Sequence, residues 1–155
     1  VSDDVAFGPE NLCLDHTEVK RRVALALETV RLHHHKDQKP HLLSGGEKRR
    51  LAIAGILAME PKVLIFDEPF SSLDYPGVKE VLAQMISLHQ AGHTIIVAAH
   101  DLEKLIAHTD RLVIMEKGCI VRDGLPSHLL GDLEVFGIRE PCASRLGMEV
   151  HSWLN

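Results

Sequence analysis

The sequence predicts an α/β fold in which parallel strands are flanked by helices, and three observations carry the prediction. Val63-Leu64-Ile65-Phe66 is a continuously apolar run that ends in two adjacent carboxylates, Asp67 and Glu68. Residues 94–99 form a second run of the same kind, ending at His100-Asp101. Between them Val78, Val81, Leu82, Met85 and Leu88 recur at helical spacing. Short apolar runs without alternation are expected of parallel strands buried on both faces.

The composition fits that class and removes others. A chain of 155 residues has room for one domain with a sizeable core. With 45% apolar residues, 25% charged and 4% aromatic, it is neither a disordered chain nor a disulfide-stapled one. The net charge of −5 argues against a dedicated nucleic-acid binder, which usually carries a basic face. Cys13, Cys119 and Cys142 lie far apart and match no metal spacing, so they read as free thiols in a reducing compartment. No apolar run approaches the roughly 20 residues of a membrane span, and no basic segment followed by an apolar one opens the chain.

Taken in order, residues 1–11 (VSDDVAFGPEN) read as a loop, because Gly8-Pro9 interrupts them. From Thr17 to about Leu32, Val19, Val23, Leu27 and Val30 mark an amphipathic helix with Lys20, Arg21, Arg22 and Glu28 outward. His33-His34-His35 then opens a polar stretch that ends at Pro40-His41. Adjacent histidines in such a stretch alternate in direction and rarely supply fixed metal geometry, so a solvated loop is preferred to a metal site.

Ser44-Gly45-Gly46-Glu47 has the spacing of a capping box, in which the hydroxyl and the carboxylate satisfy free N–H groups at a helix start. The helix runs through Leu51, Ala54, Ile56, Leu57 and Ala58 and ends by Pro61. Its two glycines clear side chains from the positive end of the helix dipole, where a phosphate could approach. Sixteen residues after Glu47 the first apolar strand begins. Ligands of open α/β sheets sit beyond the carboxyl ends of the strands, which is where Asp67 and Glu68 fall. Asp67 suits Mg²⁺ held through water, and Glu68 suits the polarisation of an attacking water.

Asp74 is a candidate N-cap for the next helix, with Pro76 in its first turn and Gly92 able to form a left-handed C-terminal cap. Asp101 is expected to cap a helix over residues 102–108, with Leu102, Leu105 and Ile106 facing inward. Residues 111–117 and 119–122 read as two short strands around Gly118, and Pro126 restarts a helix.

At Leu43–Glu47 (LSGGE), at Val63–Pro69 (VLIFDEP) and at Ser72-Leu73-Asp74 the sequence resembles the ATP-binding subunits of ABC transporters. There these stretches correspond to the signature motif, the Walker B strand with its catalytic glutamate, and the D-loop. The opening DVAFGPEN narrows the likeness to the energy-coupling-factor and cobalt/nickel importer type, and the tail resembles the C-terminal extension of cobalt-type ATPases. The resemblance implies a partial P-loop NTPase fold, a parallel sheet with flanking helices plus a helical signature subdomain, divided into the signature subdomain (1–61), the C-terminal part of the ATPase core (62–124) and a C-terminal extension (125–155). It implies Glu68 and His100 as catalytic residues, the latter as switch histidine, and Asp67 as the Mg²⁺ residue. Ser44, Gly45, Gly46, Glu47 and Asp74 would face the ATP held by a second ABC ATPase subunit, identical or not, across a sandwich dimer.

Further expectations follow from the same likeness. Integral membrane transporter subunits would hold the protein at the cytoplasmic face, and no nucleic acid is involved. None of the eleven glycines is followed by lysine, so these residues contain no Walker A loop, whose backbone N–H groups and lysine cradle phosphates. The adenine-stacking aromatic and the Q-loop glutamine of the family are not found either. The chain opens without methionine, as a piece of a longer protein would. By itself it is expected not to hydrolyse ATP, and the sheet would lack its middle strand between residues 94–99 and 111–116. Its exposed apolar edges would re-pair, dimerise, or be covered by the missing half. The competing reading is a non-catalytic module that supplies only the signature motif; retention of Glu68 and His100 speaks for a catalytic parent. DNA-repair and translation ABC ATPases fit less well, since neither a coiled-coil insertion nor basic linkers are present.

Overall fold

The computed structural model describes residues 1–154; Asn155, the last residue of the expected C-terminal extension, lies outside them. The chain divides into two compact units, the boundary falling between Leu64 and Ile65.

The first unit is helical. Helices α1 (Ser2–Asn11), α2 (His16–Thr29) and α3 (Gly45–Leu57) pack on one another. In α2 the Asp15 carboxylate accepts from the N–H groups of Thr17 and Glu18, and Val19, Val23 and Leu27 are buried with Val30 just beyond. The expected loop at the start is instead a helix. Val5 and Pro9, one turn apart, are both buried, and Asp3 and Asp4 favour the positive end of the dipole. Pro9 removes one internal hydrogen bond, but Gly8 explains why the pair is tolerated. A β-carbon on Gly8 would come within 2.8 Å of Met59 Cγ and 3.4 Å of the Gly55 carbonyl, so the glycine permits close approach to α3 rather than breaking the helix.

The run His33–His35 forms a single 3₁₀ turn, and Pro40–Leu42 forms a second. The Lys36 carbonyl between them accepts from both the amide and the hydroxyl of Ser2, which fastens this stretch to the start of α1. Among the described residues no cluster of three or more histidine, cysteine or acidic groups could hold a metal ion.

The second unit carries the strands. β1 (Val63–Asp67), which begins just before the division, is the hydrogen-bonded neighbour of β2 (Thr94–Ala98) in a parallel sheet, with α4 (Tyr75–Gln90) connecting them. Strand β3 (Leu112–Glu116) pairs antiparallel with β4 (Cys119–Gly124) in a separate two-stranded sheet. Lys117 and Gly118 both have positive φ, 50° and 80°, as a tight two-residue hairpin turn demands. Arg111 closes the open end of the hairpin with two hydrogen bonds to the Asp123 carboxylate, at 2.8 and 2.6 Å.

Burial on both faces of β1 and β2 is corrected by the structure. Leu64 is buried and Phe66 half-buried, while Val63 and Ile65 stand 47% and 71% exposed and Ile96 48%. One face only is covered, by Val81, Leu82 and Met85 of α4 and by Leu105, against which Phe66, Ile95 and Val97 pack. A second cluster, Leu102, Ile106, Leu112, Ile114 and Leu133, lies beneath the hairpin. The helix expected over residues 102–108 is also absent. The chain makes a turn and then a 3₁₀ turn (Ile106–His108), because Asp101 caps only the Glu103 N–H and engages Lys104 with its other oxygen. Leu102, Leu105 and Ile106 are nonetheless buried, as their spacing required. Short helices α5 (Pro126–Leu129) and α6 (Cys142–Arg145) flank a longer 3₁₀ stretch, Leu130–Phe136.

Candidate active site

In the second unit the candidate residues sit where strands end. Asp67 is the last residue of β1 and is exposed. Glu68 follows with φ of 46°, a left-handed conformation that costs a non-glycine residue about 1 kcal/mol and persists only where neighbours hold it. Two hydrogen bonds hold it: its N–H donates to the Ala98 carbonyl at 2.9 Å, and Oε1 accepts from the His100 amide at 3.1 Å. The twist turns the carboxylate toward the end of β2.

There Glu68 meets His100. Imidazole Nδ1 lies 2.7 Å from Oε1; a carboxylate only accepts, so Nδ1 carries the proton. Both contacts fall on Oε1, and no hydrogen bond to Oε2 is found among the described residues. The Glu68 carboxylate holds the imidazolium of His100 above its ordinary pKa, by hydrogen bonding first and by charge second, with Asp101 adding to it. His100 is 86% exposed and Glu68 42%, so the pair lies open to an incoming ligand.

Asp74 serves α4 as N-cap, its Oδ1 accepting from the Gly77 N–H at 3.0 Å. Gly77 is part of that device, since a β-carbon there would sit 2.8 Å from Asp74 Oδ1. Ser72, two residues earlier, has φ of 59°, a second left-handed non-glycine in the same loop. The single carboxylate of Asp67 fits magnesium only in the mode that ion favours, with water and substrate oxygens completing the shell.

In the first unit the four residues 44–47 build the start of α3. Ser44 Oγ accepts from the Glu47 N–H at 3.3 Å and Glu47 Oε2 accepts from the Ser44 N–H at 2.8 Å, so both arms of the capping box are made. Those bonds hold the Glu47 carboxyl below its usual range, the Ser44 amide first and its side chain second. Gly45 and Gly46 are exposed, and nothing lies within 4 Å of where a Gly45 β-carbon would be. A serine hydroxyl that accepts one bond keeps its own proton to donate, so the turn offers one O–H and the first-turn N–H groups to an anion.

The structure therefore joins Glu68 to His100 and Ser44 to Glu47, gives Asp74 a cap, and leaves Asp67 exposed. Two contacts were not read from the sequence. Lys104 pairs with Asp101 beside the histidine, a contact readable from the i, i+3 spacing. His35 reaches Glu47 with Nε2 at 3.0 Å of Oε1, a contact that no local spacing announces.

The ABC transporter family matches residues 1–71. The energy-coupling factor transporter ATP-binding protein EcfA of Methanocaldococcus jannaschii is 42% identical over 134 residues, 86% of this chain and 48% of that protein. EcfA1 of Clostridium novyi is 42% identical over 156 residues, 98% of this chain and 55% of that protein. Among solved structures, cbiO1 of Clostridium perfringens, described as part of the ABC transporter complex cbiONQ, superimposes with a TM-score of 0.72 at 40% identity, over 86% of this chain and 53% of that one. The chain spans about half the length of the curated relatives it matches. Sequence, fold and comparisons agree in the likeness of this chain to the ATP-binding proteins of ABC transporters.

Proposed function

We propose that the chain supplies the signature motif and the water-activating half of an ATP-hydrolysing subunit that powers an ABC importer for cobalt, nickel or another micronutrient. The observation that carries this reading is the Glu68–His100 pair, held 2.7 Å apart at the ends of neighbouring strands. A carboxylate with one oxygen fixed and the other open is a general base with a defined direction. Glu68 Oε2 takes the proton of a water that attacks the terminal phosphorus, the bond to the bridging oxygen breaks, and ADP and phosphate result. His100, held by Glu68, presents its other nitrogen to the terminal phosphate. Asp67 would hold Mg²⁺ through water, and the ion when bound neutralises charge on the phosphates.

The remaining assignments follow the same reading. Residues 1–61 act as the signature subdomain, 62–124 as the core part and 125–155 as an extension. Ser44, Gly45, Gly46 and Glu47, with Asp74, face the nucleotide of a second ATPase subunit, and integral membrane subunits carry the solute. Among the described residues no helix is long and apolar enough to cross a membrane. The likeness to energy-coupling factor transporter ATP-binding proteins and to a part of the ABC transporter complex cbiONQ supports the transporter reading.

The test is Glu68→Gln in the complete subunit that carries this chain. ATP affinity is expected to stay within about twofold while turnover falls by a factor of about 10² to 10⁴, the usual weight of a general base. Unchanged steady-state turnover would remove Glu68 from that role.

A further inference from the structure

We propose that Trp153 is a positioning residue for the hydrolytic site: its ring braces the two loops that leave β1 and β2, and so keeps Glu68 and His100 in their paired geometry. The inference rests on the reading of that pair as the water-activating half of an ATPase.

Two loops frame the pair, and neither supports itself with helix or strand hydrogen bonding. The first runs from Glu68 to Asp74 through turns and bends, and holds two left-handed residues, Glu68 and Ser72. Such backbone persists only where its surroundings over-determine it. The second runs from His100 to Leu105 and is likewise built of turns.

The end of the C-terminal extension touches both. The Trp153 ring lies against Tyr75, with centroids 5.6 Å apart and planes tilted by 43°, and Tyr75 directly follows Asp74. Lys104 Nζ lies 5.6 Å from the centroid of the Trp153 ring, within reach of a cation–π contact. The same ammonium pairs with the carboxylate of Asp101, the residue after His100, whose other oxygen accepts from the Glu103 N–H at 3.1 Å. Trp153 also packs on the buried cluster that receives Phe70 and Leu73 of the first loop and Ala99, which precedes His100. One side chain is thus shared by the two loops that carry the catalytic candidates.

The extension is itself fastened to the second loop and the 3₁₀ turn after it. Ser152 Oγ lies 2.9 Å from His108 Nε2 and accepts from the Leu154 N–H at 3.0 Å. Farther back, the Cys142 N–H donates to Glu103 Oε2 at 2.7 Å. Residues 101–108 therefore meet the extension at Glu103, Lys104 and His108. An apolar cover alone would be served equally well by leucine at position 153, whereas holding Tyr75 and the face-bound cation together requires a flat ring.

The experiment compares Trp153→Phe, which keeps a ring, with Trp153→Leu, which keeps apolar cover without one. Both are made in the complete subunit that carries this chain, beside Glu68→Gln, Lys104→Met and the double variants of Lys104→Met with each Trp153 change. The readouts are kcat and KM for ATP, with the unfolding temperature as a check on folding. Trp153→Leu is expected to lower kcat by about three- to tenfold, the combined weight of one ring pair and one cation on a ring, with KM within about twofold. Trp153→Phe recovers at least about half of that loss, and Lys104→Met combined with Trp153→Leu costs less than the product of the two single effects. If Trp153→Leu turns over like the unchanged protein, if Leu and Phe fall equally, or if the factors simply multiply, the positioning role is wrong. Should Trp153→Leu fail to fold, Trp153→Phe with Lys104→Met decides by the same criterion of multiplication. If Glu68→Gln abolishes turnover while the Trp153 variants leave it intact, only the positioning role falls. If Glu68→Gln itself leaves turnover intact, the hydrolytic reading falls and takes the Trp153 proposal with it.

Discussion

A single exposed ion pair decides the chemistry proposed at residue scale. The folded pKa of His100 is raised by the Glu68 carboxylate, so the folded state holds the imidazole proton more firmly than the unfolded chain does. The stability this adds is fully present below the unfolded value of about 6.5 and is lost as pH rises through the higher folded value. With the imidazole 86% exposed, water screens the pair and the contribution stays small. The titration is therefore the sharper readout. Followed by NMR, the His100 ring is expected to titrate above 6.5, and Glu68→Gln should return it to about that ordinary value. A ring that titrates at the same pH in both proteins would mean that the 2.7 Å contact is not made in solution. Glu68 and His100 were both legible as end-of-strand residues. Their pairing was not, because 32 residues separate them and the left-handed twist at Glu68 cannot be read from an Asp-Glu-Pro string.

Among the elements, α4 shows a cap and a functional candidate sharing one residue. Asp74→Ala removes the acceptor for the Gly77 N–H and is expected to cost about 1 kcal/mol in urea unfolding, while Asp74→Asn should lose only a few tenths. Equal losses in the two variants would exclude the cap as the cause. This helix was legible almost to the residue: Asp74, Pro76 and the five buried positions from Val78 to Leu88 are local signals, and Gly92 ends it with φ of 100°. The hairpin was legible for the same reason, since Lys117-Gly118 states its own turn. The segments misread are those where tertiary contacts outweigh local chemistry. Gly8-Pro9 carries a loop signature, yet packing of Val5 and Pro9 and the close approach of Gly8 to α3 keep the segment helical. Residues 102–108 carry a helix signature, yet the Asp101–Lys104 pair and burial of Leu102, Leu105 and Ile106 are satisfied by turns alone.

The described residues form a helical unit and a second unit with strands paired in two two-stranded sheets, and the 155-residue sequence has no glycine-lysine pair of a phosphate loop. Calorimetric titration of this chain with Mg²⁺ and ATP is expected to show no binding with a Kd in the micromolar range. Micromolar affinity would show that residues 44–47 or 67–68 bind nucleotide without such a loop. The fold class was legible because apolar runs and capped helices are local, whereas the coverage of the strands depends on what packs on each face. That partial coverage bears on how such a chain is handled as it is made. With Ile65 71% and Ile96 48% exposed on one side of a sheet, a polypeptide released in this form presents the greasy surface that holdase chaperones and proteases of the quality-control machinery recognise. Its lifetime in a cell would thus be set less by the free energy of its own folding than by how soon that face is occupied.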